Sequence, residues 1–331
     1  MHSSSEVRVF SAADIRQLLT YPDCIEVLES AMQETSRRTV ELPLRTLLQA
    51  PNRKGVLGLM PGAMTNPSYL GTKLISMFDG NTALGLSSHI GLICLFNGEN
   101  GVPVALLEAG SVTAIRTACA SALATKHLAR EDASSLAIIG TGEEAETHLE
   151  ALLCVRPITT VTVWGRTPEK VAAFIEKHQG KGGAKLQSAP SVEAAVAGAD
   201  IITTVTAAKT PILKGQWLTP GQHVNLVGAS VASAAEADSD VVTRSRFYVD
   251  YIESTLAQAG EFLQARDAGL VTEDHILGEI GAVISGTVAG RQSPTDITVY
   301  KSLGIASQDI ATAAYILNRG RSEGIGQLVT L

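Results

Sequence analysis

The chain has 331 residues, 45% of them hydrophobic and 18% charged, with a formal net charge of −7. That composition excludes a disordered polymer, and the acidic balance excludes the dense positive face by which proteins hold nucleic acid. Four scattered cysteines (Cys24, Cys94, Cys119, Cys154) show no metal-ligand spacing, no run of about 18 apolar residues offers a membrane span, and the opening MHSSSEVRVF lacks the apolar centre of a signal peptide; a cytoplasmic protein is expected.

In chain order, SAADIRQLLTYPDCIEVLESAMQETSR reads as helices, with Ser11 and Pro22 as start signals and Ile25, Leu28 and Met32 at helical spacing. GVLGLMPGAM, YLGTKLISMF and HIGLICLFNGENGVPVALLEAG read as strands. NGENG is a hairpin turn between two of them, because Asn and Gly accept positive φ at little cost. A long small-residue helix, SVTAIRTACASALATKHLA, follows. These first strands are apolar and have few helices near them in sequence, so an uncovered sheet face and a twofold homodimer through it are expected.

From Ser134 the rhythm alternates strand with helix. LAIIG and TVTVWG are strands; EEAETHLEALLCV and PEKVAAFIEKH are helices, Pro168 suiting a first turn. SVEAAVAGA is a short helix capped by Ser191, and DIITTVT, HVNLVGA and FYVDYI are further strands. The alternation predicts a doubly wound, mainly parallel sheet. The last helix, SQDIATAAYILNRGRSEG, lies past this region and is assigned back to the first domain. The expected fold is therefore α/β: a Rossmann-type sheet of residues 119–303, inserted into a discontinuous α+β domain of residues 1–118 and 304–331.

LAIIGTGEEAETHLEALL carries the first chemistry. In G-x-G-x-x-G/A the first Gly makes the tight strand-to-helix turn, the second lets backbone approach a pyrophosphate, and the third small residue lets helix and strand pack. Gly140, Gly142 and Ala145 stand at those places, with Thr141 between the glycines. The helix N-terminus favours the negative phosphates, while Glu143 and Glu144 open the helix beside them with their carboxylates turned outward. An acidic residue after the second strand would bond the 2′-hydroxyl of NAD. VWGRT places Arg166 there instead, with Thr167 adding a hydroxyl, which favours the 2′-phosphate of NADP(H) over NAD(H).

LLEAGSVTAIRTACASALATKHLA, HIGLICLFNGENGVPVALL and ITVYKSLGIASQDIATAA, together with IIGTGEEA and VWGRTPEKV, resemble the ornithine cyclodeaminase/mu-crystallin family, in order from about residue 5 to the end. The resemblance implies a Rossmann domain inserted into a dimerising, substrate-binding domain, with the substrate between them. It implies that Arg45, Lys73 and Arg116 bind an amino- or imino-acid carboxylate. It also implies cofactor or substrate contacts at Ser88, His89 and Thr117. Val205, Thr206 and Ala207 should run beneath the riboses, Gly228 and Ala229 should let backbone approach the nicotinamide, and Lys301 and Ser302 should lie in the cleft nearby. Glu236 and Asp238 read as solvated charges at a helix start.

Departures from the family pattern decide the chemistry. Cyclodeaminases resemble one another in a carboxylate after the fifth Rossmann strand and a Glu before LMP. This chain has Ser230 and Gly58 at those places. A serine hydroxyl is no base at neutral pH without an activator. The expected activity is reduction of a preformed cyclic C=N bond by NADPH, with NADH as the weaker alternative. Lys73 would supply the proton, and Ser230 would orient a water or the ring nitrogen. Δ1-pyrroline-2-carboxylate and Δ1-piperideine-2-carboxylate are the expected small-molecule substrates, and L-proline and L-pipecolate the products. An alanine-type dehydrogenase, a cyclodeaminase and a non-enzymatic ligand-binding protein are the alternatives.

Overall fold

The computed structural model describes residues 6–87 and 89–330. Two compact units emerge: Met1–Arg116 with Ile305–Leu331, and Thr117–Gly304. The elements run β1 (Glu6–Phe10), α1 (Ala12–Leu18), α2 (Tyr21–Ser36), β2 (Val40–Glu41), β3 (Thr46–Gln49), β4 (Val56–Met64), β5 (Tyr69–Met77), β6 (His89–Asn97), β7 (Pro103–Glu108) and α3 (Ala109–Leu128). There follow β8 (Ser135–Ile139), α4 (Glu143–Leu153), β9 (Thr160–Trp164), α5 (Pro168–His178), β10 (Lys185–Ser188), α6 (Val192–Val196), β11 (Ile201–Thr204) and β12 (His223–Leu226). The chain continues through α7 (Ser239–Thr243), β13 (Arg246–Val249), α8 (Ile252–Gln258), α9 (Gly260–Asp267), β14 (Ile276–Glu279), α10 (Ile280–Ile284), β15 (Thr298–Lys301), α11 (Ala306–Glu323) and β16 (Gln327–Thr330). Among the described residues, no helix is long and apolar enough to cross a membrane.

The first unit is built on a sheet of order β16-β1-β7-β6-β5-β4-β2, with β3 also on β4. Its β4–β7 run is antiparallel, and the β6–β7 turn is locked by Asn97, whose side-chain oxygen accepts from the Glu99 and Asn100 amides. Ser11 caps α1 with a reciprocal bond to Asp14, and Pro22 sits in the first turn of α2, as their residue types predict. One face of the sheet is covered by α11. It can seat closely because a Cβ at Gly71 would come within 2.8 Å of Ile310 and one at Gly62 within 2.9 Å of Ala306. The other face is open: Leu48, Leu57, Leu70, Ile90 and Leu92 are all exposed there.

The second unit is a wholly parallel sheet of order β10-β9-β8-β11-β12-β15-β13-β14. Its first five strands follow the Rossmann order, which reverses between β8 and β11. Ligands of such sheets bind where the order reverses, beyond the carboxyl ends of the strands. Gly140 follows β8 and Val205 follows β11, so both lie at that point. The slot beside β12 is taken by β15, late in the chain, and β13 and β14 extend the edge beyond it.

Candidate active site

The glycine turn of the second unit has the form a dinucleotide needs. Gly140 has φ of +134°, and a Cβ there would stand 2.6 Å from the Val205 carbonyl oxygen. A side chain is excluded on both counts. Gly142 is different: a Cβ would meet no protein atom within 4 Å. The space above it is open, and no side chain caps α4 behind it. Ala145 is fully buried against the strands. Thr141 packs beneath Gly165, where a Cβ would lie 2.9 Å from its methyl group. Arg166 then projects into solvent and takes no partner among the described residues. Ser302 Oγ is buried without a hydrogen-bond partner, although its amide donates to the Leu226 carbonyl. An open cradle at a helix N-terminus and an uncommitted cation after the second strand fit the phosphates of a dinucleotide in both shape and donor chemistry, while the orphaned Ser302 hydroxyl stands three strands along, at the end of β15.

Glu236 corrects the sequence expectation of a solvated charge: it is fully buried. Its carboxylate accepts from the Thr206 amide at 2.7 Å, the Thr206 hydroxyl at 2.7 Å, the Thr204 hydroxyl at 2.8 Å and the Gly228 amide at 2.6 Å. One side chain thus pins the segments after β11 and β12 together. Burial, its largest influence, pushes the Glu236 carboxyl above the ordinary range, against the donors of Thr206 and Thr204 and the charge of Lys301. Gly228 is required by the same junction, since a Cβ would stand 2.1 Å from the Thr206 carbonyl oxygen. Asp238 does begin a helix, accepting from the Val241 amide at the start of α7. Lys301 is not exposed to a cleft: it is fully buried, donates to the Ala229 carbonyl at 2.6 Å and lies 2.9 Å from Glu261. Its ammonium supports the strand-end segment from behind. Ser230 follows β12 and is half-buried.

The first unit carries a buried ion cluster. Lys73 points from β5 to the face covered by α11, and Arg116 reaches the same place from α3. Both are almost fully buried and share one carboxylate. Lys73 Nζ lies 3.1 Å from Asp309 Oδ1 and 2.9 Å from Oδ2, and Arg116 Nε donates to Oδ1 at 2.9 Å. Arg116 Nη1 donates to Gln308 Oε1 at 2.9 Å. Burial, then Arg116, lower the Lys73 pKa to about 8; Asp309 opposes them and Arg45 adds to the lowering. Arg45 itself is half-buried in the stretch between β2 and β3. Gly58 lies on the Lys73 face of the sheet, two residues before Met60, which pairs with Lys73. It brings no carboxylate to that face.

Arg45, Lys73 and Arg116 are thus brought together within one unit, and Gly140, Thr141, Gly142, Ala145, Val205, Thr206, Ala207, Gly228 and Ala229 within the other. Thr117, buried, is the first residue of the second unit. Thr167 precedes α5 with its hydroxyl uncommitted to the helix, Glu143 is exposed and Glu144 half-buried at the start of α4. His89 is exposed at the start of β6, and Ser88 lies outside the described residues. Asp309, Gln308, Glu261 and the true role of Glu236 escaped the sequence reading. Asp309 sits in SQDIATAA, among the stretches that carried the resemblance. Its signal was an acid in the first turn of a helix whose next eight residues, Ile310–Leu317, carry no charge.

Comparison with known proteins identifies the family. The model of the Ornithine cyclodeaminase/mu-crystallin family matches residues 5–324. A Delta(1)-pyrroline-2-carboxylate reductase of Bacillus cereus is 35% identical over 322 residues, 97% of this chain and 99% of that protein. The ketimine reductase mu-crystallin of Mus musculus is 35% identical over 295 residues, 88% of this chain and 90% of its own. The solved structure of Thermococcus litoralis Delta(1)-pyrroline-2-carboxylate reductase, in complex with NADH and L-proline, superposes with a TM-score of 0.94 at 33% identity, covering 98% of this chain and 100% of that one. The family model spans nearly the whole chain and the fold agrees with these likenesses: the chain belongs to the ornithine cyclodeaminase/mu-crystallin family.

Proposed function

We propose that this chain is an NADPH-preferring reductase of cyclic imino acids, converting Δ1-pyrroline-2-carboxylate and Δ1-piperideine-2-carboxylate to L-proline and L-pipecolate. The observation that carries the reading is the clamp. Lys73 and Arg116 are two buried cations on one buried carboxylate, so a positive charge remains for an anion. Clustering buried cations is costly unless an anion joins them. The names of its relatives, Delta(1)-pyrroline-2-carboxylate reductase and ketimine reductase, support the same substrate class.

Arg116, its Nε and Nη1 held by α11, presents the rest of its fork to the substrate carboxylate. Arg45 adds charge beside it. Held this way, the imino acid is oriented by its carboxylate; hydride transfer requires an approach of ~3–3.5 Å. The nicotinamide, when bound, supplies the hydride. Lys73 gives a proton to the imine nitrogen, directly or through water. Gly140, Gly142 and Ala145 hold the pyrophosphate, and Val205, Thr206 and Ala207 line the ribose side. Ser230 leaves that side without a base able to take a proton from an amine, so ornithine is not deaminated.

One assay tests the reading. NADPH or NADH is mixed with the cyclic imino acid, with an acyclic 2-oxo acid plus amine, or with ornithine and the oxidised cofactor, and absorbance is followed. Fast NADPH loss with the cyclic imine alone is expected. Vigorous ammonia release from ornithine would overturn the assignment.

The preference for NADPH rests on Arg166. In Arg166→Ala, NADPH binding should weaken by about 1.5–3 kcal/mol, the worth of a charge-assisted contact, with NADH nearly unaffected. Equal weakening of both in a titration of cofactor fluorescence would remove Arg166 from the 2′-phosphate site.

The open sheet face should be covered by a second copy of the chain, giving a twofold homodimer. Leu57 on β4, Leu70 on β5, and Ile90 and Leu92 on β6 are all exposed on that face, an apolar patch that an isolated soluble chain rarely leaves uncovered. Leu92→Lys should shift sedimentation at micromolar concentration from dimer to monomer. A monomer before substitution would contradict the assembly. All four cysteines are free, as suits the reducing cytosol we assign to the protein.

A further inference from the structure

Asp309 stands outside every role argued so far for substrate or cofactor. It is almost fully buried in the first turn of α11, and its carboxylate meets two other elements at once. Its Oδ1 takes Arg116 Nε at 2.9 Å and Lys73 Nζ at 3.1 Å, while Oδ2 lies 2.9 Å from the same ammonium. The preceding residue, Gln308, takes Arg116 Nη1 at 2.9 Å and is itself braced on Met32 Sδ at 3.5 Å. Two consecutive residues of one helix therefore fix the guanidinium plane and the ammonium position. Nη2 of Arg116 lies outside both bonds. Packing alone does not call for a buried acid, since replacing such a cluster by apolar side chains of similar volume is often neutral or stabilising.

We propose that Asp309 is a positioning residue of the reduction, a single carboxylate that seats both the proton donor Lys73 and the carboxylate-gripping Arg116. The inference rests on the imine-reductase reading above and adds to it the group that sets the donor's working pH. The surroundings of Lys73 define that effect. Its cross-strand neighbours Met60 and Ile93 are apolar. α3 contributes Arg116 and the neutral Thr113 hydroxyl at 3.5 Å. The stretch after β2 contributes Arg45. α11 contributes Asp309, the opposing charge. Burial, Arg116 and Arg45 all favour the neutral amine, and Asp309 favours the ammonium. The donor form is the ammonium, so activity is lost as pH rises through the Lys73 pKa. Removing the Asp309 charge lowers that pKa and must move the loss to lower pH.

The test is Asp309→Asn, nearly isosteric and neutral. The pH profile of kcat/KM for NADPH-dependent reduction of Δ1-pyrroline-2-carboxylate is compared with that of the unmodified enzyme. The imine's own titration is common to both and cancels. The basic limb should move down by about 1–3 pH units, the effect of an opposite charge at this range. KM for the imino acid should rise as Arg116 loses its seat, while NADPH binding by fluorescence stays unchanged and reports the folded second unit. An unmoved limb in a D309N protein that still binds NADPH overturns the proposal. If D309N does not fold, Asp309→Glu decides: the limb must stay in place while kcat/KM falls, and a limb displaced to lower pH with the charge retained overturns it. Failure of the underlying reading looks different, since the unmodified chain would then consume no NADPH with the cyclic imine at any pH.

Discussion

Lys73→Met should lower kcat for imine reduction by ~10²–10⁴-fold, the usual worth of a positioned general acid. The substitution keeps the length of the side chain and removes its charge. Asp309 retains Arg116 as a partner at 2.9 Å, so no buried carboxylate is abandoned and the fold should survive. KM for the imino acid should rise as well, because a positive charge near its carboxylate is lost. The pH profile gives the sharper reading. Burial and Arg116 bring Lys73 to about 8 against the pull of Asp309. The unmodified enzyme should therefore lose activity as pH rises past that region, with the substrate carboxylate raising the limb. In K73M that limb should vanish and leave the imine's own titration alone. A rise in KM with kcat preserved would mean that Lys73 only binds and that the proton comes from elsewhere.

Lys301→Met should act on stability. Lys301 and Glu261 are both fully buried and 2.9 Å apart. Removing one partner of such a pair costs about 3–5 kcal/mol, because the other is left as an uncompensated charge. Both tryptophans, Trp164 and Trp217, lie in the second unit, so denaturant unfolding followed by tryptophan fluorescence reads that unit directly. The midpoint should fall steeply in K301M and recover in part in the double variant K301M/E261Q, in which Glu261 no longer carries an unpaired charge and only buried Glu236 has lost the influence of the ammonium. The Ala229 carbonyl also loses its donor at 2.6 Å, so NADPH affinity should weaken in both variants. Weakened NADPH affinity with an unchanged midpoint would instead make Lys301 a direct cofactor contact.

The parts legible from residues alone are those whose signals are local. Ser11, Pro22, NGENG, Pro168 and Ser191 each specify backbone within four or five residues, and each stands where its chemistry predicts. Gly140 and Gly142 read correctly because a strand, a turn and a helix N-terminus adjoin in sequence. Short strands with polar ends escaped: β1, β10, β14, β15 and β16 carry too few alternating residues to be told from loops, and pairing with distant strands forms them. The buried acids were the larger loss. Glu236, Glu261 and Asp309 look like solvated helix charges, because what buries them lies far along the chain. Arg116 and Lys73 are 193 and 236 residues from Asp309, and no local pattern reports a partner at that range.

That separation bears on synthesis. The chain leaves the first unit at Arg116 and returns at Ile305, after everything the second unit needs has been made. A domain folds once its own residues are available, the earlier ones first. Here the earliest strands must wait, their covering helix still unmade, while the inserted unit is translated and closes. β4–β6 meanwhile carry a bare apolar surface on each side, the condition under which nascent chains aggregate or recruit chaperones. The buried cluster of Lys73, Arg116 and Asp309 is completed late, since the carboxylate that joins its two cations belongs to α11. A chain that stalls after residue 304 would hold every residue of the second unit and a first unit still lacking its last helix.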